Sequence, residues 1–217
     1  MVNGCFFFRA GNDTVPGGGY YVNGTGAATQ NFVKCVFVNN KAVRGGAANI
    51  VGPAAGGLVV NFNQSEFIGN QTFNTGTYSG GVFSIANAQV NAVNCVFSAN
   101  YAYQGSVTDI TTGGAVIMMK NCTLSNNQTV SASQSVILNP FTPANVVLTN
   151  CIVYGNAGTP MAAGNTVTYS DVQGGYAGTG NVNTAPGFTS VADTWTSNAT
   201  YDSAKKQTTL TRNTASW

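Results

Sequence analysis

Histidine is absent from all 217 residues, and Asp, Glu, Lys and Arg together make up only 6% of the chain. Eight basic against six acidic residues leave no basic stripe to track a nucleic-acid backbone and no polybasic segment for an anionic membrane. Scarce charge also argues against long exposed helices, which need Glu, Lys and Arg on their polar faces. No apolar run approaches the roughly 18 residues of a membrane helix, and Cys5-Phe6-Phe7-Phe8 is too short for a signal-peptide core. Membrane insertion by this segment is not expected, and an export signal and an anchor are expected outside the sequence. Without His and without a CxxC spacing the usual zinc patterns are missing, and no metal or cofactor is expected.

What the chain does have is a repeat. Gly, Asn, Thr, Ser and Val are abundant and 43% of residues are hydrophobic, enough for a large all-β core. The segments CVFVNN (35–40), SEFIGN (65–70), CVFSAN (95–100), CTLSNN (122–127) and CIVYGN (151–156) share Cys or Ser, an apolar residue two later and Asn five later. Weaker copies at Cys5 and Ser170 bring the count to seven. Three residues before each start stand Val2, Phe32, Phe62, Ala92, Met119, Leu148 and Val167, and Val60, Val90, Ile117 and Val146 continue the alternation, which marks a short strand. A third strand follows each Asn, with Ile50, Ile85, Ile110 and Leu138 at matching places. Such a unit cannot bury its apolar face alone, so stacking is required. The pattern predicts a right-handed parallel β-helix of about seven coils, three short strands per coil, over residues 1–190. Residues 191–217 break the repeat and read as a β-rich tail, the truncated start of a further module.

Three columns follow. Asn40, Asn70, Asn100, Asn127 and Asn156 fall at a sharp turn, where Asn tolerates left-handed backbone and its amide can bond a stacked copy, an asparagine ladder. Cys35, Cys95, Cys122 and Cys151, with Cys5 before them and Ser65 interrupting, form an inward column of small hydrophobes. Disulfides between stacked copies are disfavoured, because strand spacing exceeds the Cβ separation a disulfide prefers. Phe37, Phe67 and Phe97 fill the core beside them.

The paired motifs FxxN (Phe37 to Asn40, Phe67 to Asn70, Phe97 to Asn100) and GGA (Gly45-Gly46-Ala47, Gly113-Gly114-Ala115) resemble the repeats of polymorphic outer-membrane proteins and related bacterial β-helix surface proteins. The segment YSDVQGGYAGTGNVNTAPGF (169–188) resembles the closing coil of the choice-of-anchor Q family. These resemblances imply a bacterial protein with a pectin-lyase-like solenoid, exported and displayed at the cell surface or secreted, with no established catalytic role.

Chemistry has few candidates. Glu66 and Asp171 share an outward position but lie four coils apart, about 19 Å at one strand spacing per coil, against the ~5–9.5 Å of glycosidase carboxylate pairs. The densest charge group is Arg9, Asp13, Lys41 and Arg44, near the turn after the ladder in the first two coils. A uronate-binding or β-eliminating site can use such a set, and a solvated sheet edge can equally carry it. Loops at this corner bring Phe73, Tyr78, Tyr101 and Tyr103, aromatics suited to stacking on sugar rings. The expected function is a cell-surface scaffold or adhesin without catalysis. The alternatives are a carbohydrate-binding or polysaccharide lyase or hydrolase-like β-helix, and a subunit of a filament stacked through strand edges exposed at both ends. Expected partners are polysaccharide or host-surface glycan, or further copies of the chain.

Overall fold

The computed structural model describes residues 1–12, 14–73, 80–130, 134–141 and 145–188, with the backbone of Ala199–Asp202 and Gln207–Leu210. Among the described residues every regular element is a strand, and Met1–Pro186 forms a parallel β-helix. Its long sheet holds seven strands, Val2–Asn3, Ala28–Val33, Leu58–Asn63, Ala88–Val93, Val116–Lys120, Val146–Thr149 and Thr166–Thr168. A middle sheet also holds seven, from Phe6–Phe8 through Val36–Val38, Glu66–Ile68, Val96–Ser98, Thr123–Ser125 and Ile152–Val153 to Asp171–Val172. A short sheet of four comprises Lys41–Ala42, Gln71–Thr72, Tyr101–Ala102 and Gln128–Thr129. A back sheet of six runs from Tyr20–Asn23 through Ala48–Val51, Phe83–Ala86, Thr108–Ile110 and Ser135–Leu138 to Thr159–Met161.

Two expectations change. Four turns carry a strand in all four sheets, the flanking turns carry three and the last carries two. Seven is therefore the strand count of the two longest sheets, not of complete turns. The central turns have four strands rather than three, because the two residues after each ladder Asn extend in register before the chain bends again.

Stacked apolar columns make the core. Phe37, Phe67 and Phe97 lie ring on ring at 5.0 and 4.9 Å, and Phe32, Phe62 and Phe83 follow at 5.0 Å each. Each such burial contributes about 1.5–3 kcal/mol. Ile50, Ile85 and Ile110 align as expected, but the next copy shifts by one. Ile137 pairs with Thr108 and is buried, while Leu138 pairs with Asp109 on the outer face. Adjacent apolar residues in a strand of period two leave the inward face ambiguous in sequence.

The turn chemistry also departs from expectation. Left-handed backbone sits at Asn39, Gly69, Ala99, Asn126 and Gly155, one residue before each ladder Asn and not at the ladder itself. In Gly45-Gly46-Ala47, Gly45 is left-handed (φ +58°), and a Cβ on Gly46 would lie 2.3 Å from the Gly81 carbonyl oxygen. Its stacked counterparts are Gly17-Gly18, Gly80-Gly81 and Gly105-Ser106. Gly113-Gly114-Ala115 is not among them, for it stands at a different corner, directly before Val116–Lys120.

The two ends differ. At the N-terminal end Val2–Asn3, Phe6–Phe8 and Tyr20–Asn23 each pair on one side only. At the C-terminal end the chain folds back: Val172 N–H donates to Val182 O at 3.0 Å, and Asn181 Nδ2 donates to Val167 O at 2.9 Å. This fold-back covers the last strands of the long and middle sheets, while Thr159–Met161 pairs on one side only. A second unit, Gly187–Trp217, contains an antiparallel pair, Ala199–Asp202 with Gln207–Leu210.

Candidate functional site

The asparagine column is a continuous hydrogen-bonded ladder. Each Nδ2 donates to the next Oδ1, from Asn40 through Asn70, Asn100 and Asn127 to Asn156, at 2.8–3.0 Å. The same oxygens accept backbone N–H groups of the previous rung, and each Nδ2 also reaches a core-strand carbonyl, such as Phe37 O at 2.9 Å for Asn70. Asn40, Asn70, Asn100 and Asn127 are fully buried. Such amides satisfy backbone groups that would otherwise be orphaned, and they offer no surface to a ligand. Two outer ladders escaped the sequence reading: Asn31, Asn61 and Asn91 at 2.8 and 2.7 Å, and Asn94, Asn121 and Asn150 at 3.1 and 2.8 Å. The recurrence of these Asn residues at the repeat's own spacing, 30 and 30 in one ladder and 27 and 29 in the other, was the available signal.

The cysteines are free thiols, and Cys35, Cys95, Cys122 and Cys151 are buried. Each donates to the carbonyl two residues earlier, for example Cys95 to Val93 O and Cys122 to Lys120 O at 3.3 Å. Ser65 and Ser170 take the same position and make the same bond through Oγ, at 3.1 and 2.9 Å. Burial pushes the Cys35 thiol up; Cys122, hydrogen-bonded to Cys151 and Cys95 and buried, is held far above the usual range, and those same bonds to Cys122 hold Cys95 and Cys151 below it. The four buried thiols pack as small hydrophobes. No cluster of potential metal ligands occurs among the described residues.

The remaining candidates meet on the short sheet. Lys41, Gln71, Tyr101 and Gln128 are register partners, so they form one outward column, while Ala42, Thr72, Ala102 and Thr129 point inward. Phe73 and Tyr103 follow on adjacent rungs, and Phe73 is 42% exposed. Lys41 Nζ lies 4.9 Å from the Phe73 ring centroid. Beside this face, Arg9, Gly11, Asn39, Lys41, Gly69 and Gln71 line a cleft of about 370 Å³. Tyr78 and Asp13 lie outside the described residues.

Arg44 is not part of that cleft. It lines another, of about 310 Å³, with Asn49, Val51, Ser84, Ala86, Thr111 and Thr112 on the back sheet. The outward column there, Asn49, Ser84 and Asp109, is unexpectedly buried, with Asp109 only 1% exposed. Strand alternation alone predicts these residues to be solvated, so the sequence held no sign of it. Glu66 and Asp171 do share one outward column with Val96, Thr123 and Ile152 between them. A further groove, of about 590 Å³, lies on the outer face of the long sheet over Asn31, Asn61, Asn91, Met118 and Val147.

Fold and surface together define a parallel β-solenoid with an exposed aromatic and cationic face on its short sheet. Comparison with family models, curated proteins and solved structures finds no match to this chain.

Proposed function

We propose that this β-solenoid is an extracellular scaffold of the adhesin type, displayed at the cell surface or secreted, that binds glycan through the short-sheet face. The alignment of Lys41, Phe73, Tyr101 and Tyr103 on neighbouring rungs carries the reading. Aromatic rings held on a rigid sheet can stack on the apolar faces of sugars at low entropic cost, and the Gln71 and Gln128 amides can bond their hydroxyls. The resemblance of the repeats to bacterial surface β-helices supports the location. Buried ladders and thiols supply the stability of the scaffold that holds this face.

A polysaccharide panel immobilised on a surface tests this. Expected is retention of at least one glycan, about tenfold weaker for Tyr101→Ala or Phe73→Ala, with no new reducing ends or unsaturated products released. Absence of retention across the panel sinks the glycan reading. Turnover sinks the non-catalytic one.

A further inference from the structure

We infer that the cleft between Arg9 and Lys41 receives the acid group of an anionic sugar, so that the short-sheet face selects acidic over neutral glycans. This rests on the glycan reading above and adds its ligand class and orientation. In a chain with eight basic residues, two line this one cleft. The amides of Asn39 and Gln71 stand beside them, and among the described residues no carboxylate lines the cleft.

Local structure keeps the cleft open. Lys41 N–H donates to Ala10 O at 3.0 Å, which sets the Arg9 rung directly beside the Lys41 rung. Gly11 and Gly69 floor the cleft, and at Gly11 the backbone leaves no room for a side chain. A Cβ would lie 2.1 Å from Lys41 O at Gly11 and 2.3 Å from Asn39 Oδ1 at Gly69, and both have positive φ.

Both cations rest against aromatic rings, Arg9 at 4.9 Å from the Phe8 centroid and Lys41 at 4.9 Å from Phe73. A ring positions a cation through its quadrupole without neutralising it, so the full charge remains for an anion. A carboxylate or sulfate held here also accepts bonds from amide donors in the same cleft.

Orientation follows from register. Lys41, Gln71 and Tyr101 occupy successive rungs of one column, so Tyr101 lies about 10 Å along the axis from Lys41 at one strand spacing per rung. A glycan with its acid group in the cleft therefore lays its next sugars over Gln71 and Tyr101, parallel to the solenoid axis.

The test uses three oligosaccharides of one backbone, uncharged, carboxylate-bearing and sulfate-bearing, titrated into the full chain by calorimetry at low and high salt. Expected is at least about tenfold tighter binding of an acid-bearing form at low salt, a margin that narrows with salt. An Arg9→Gln/Lys41→Gln double variant should lose the margin, while Tyr101→Ala should weaken all forms alike. The Arg9 and Lys41 side chains are exposed, so an unchanged thermal melt confirms that the double variant is folded. Neutral binding equal to acidic binding, or a margin that survives in the double variant, overturns the inference and leaves the glycan reading standing. No binding of any of the three removes both.

Discussion

Asn70 donates twice to a single oxygen, Oδ1 of Asn100: from its side-chain Nδ2 at 3.0 Å and from its backbone N–H at 2.9 Å. Asn100 in turn donates to Asn127 Oδ1 at 2.8 Å and to Phe67 O at 2.9 Å. Asn100→Ala strands buried polar groups on the two neighbouring rungs, at about 1–3 kcal/mol each. The expected loss is about 3–5 kcal/mol in urea unfolding. Asn61→Ala, which breaks an outer ladder on the half-exposed face, should cost less than about 1 kcal/mol. Equal losses would mean that the inner ladder carries no special burden.

Phe67 sits at the centre of the aromatic core, 5.0 and 4.9 Å from Phe37 and Phe97 and 5.2 and 4.9 Å from Phe62 and Phe83. Truncation to Ala removes both stacked faces and both edge contacts, with an expected cost of about 3–5 kcal/mol. Phe6, 65% exposed on the N-terminal strand, should tolerate Ala within about 0.5 kcal/mol. Chemical denaturation of the two variants side by side decides it.

The two GGA motifs should respond oppositely. Gly46→Ala forces a Cβ against the Gly81 carbonyl and the Gln71 backbone, where only backbone movement makes room, and should lower the melting temperature sharply. Among the described residues, Gly113 has nothing closer than Phe141 Cδ1, at 3.8 Å. Gly113→Ala should be neutral or stabilise by about 0.4–1 kcal/mol, because it restricts the unfolded chain. Similar shifts in both would contradict the assignment of the motifs to different corners.

Buried thiols make a labelling prediction. Of five cysteines only Cys5, half-buried on the edge turn, should react with a thiol reagent in the folded state. All five should react in denaturant. Cys35 stands outside the Cys95, Cys122 and Cys151 hydrogen-bonded set, and burial makes it keep its proton in the fold above the ordinary thiol range, while unfolded thiols ionise near pH ~8.5. Above that pH the unfolded state binds fewer protons at this position, so the stability Cys35 contributes should be level through neutrality and fall as pH rises further. Thermal melts from neutral to alkaline pH, wild type against Cys35→Ser, check this, since Ser65 already serves in that column.

Much of the scaffold is legible in the chain because a solenoid repeats its constraints. Cys35, Phe37 and Asn40 recur as Ser65, Phe67 and Asn70, and strict in-register pairing forces each copy into the same environment. The ladder, the aromatic stack and the thiol column were all readable this way. Leu138 misled because the next-door Ile137 is equally apolar, so hydrophobicity could not tell which one points inward. Gly113-Gly114-Ala115 misled because a tripeptide match says nothing of which corner it occupies.

The sequence by itself determined the fold class, the inward columns and the scarcity of charged groups, since period and composition are local properties that stacking only multiplies. Tertiary structure alone decided which surface residues meet. It set the Lys41 ammonium against the Phe73 ring, sent Arg44 to another cleft, buried Asp109 and folded residues near Val182 over one end. Those outcomes depend on side-chain reach and turn geometry between rungs, where the repeat is irregular and the pairing rules that fix the strands no longer apply.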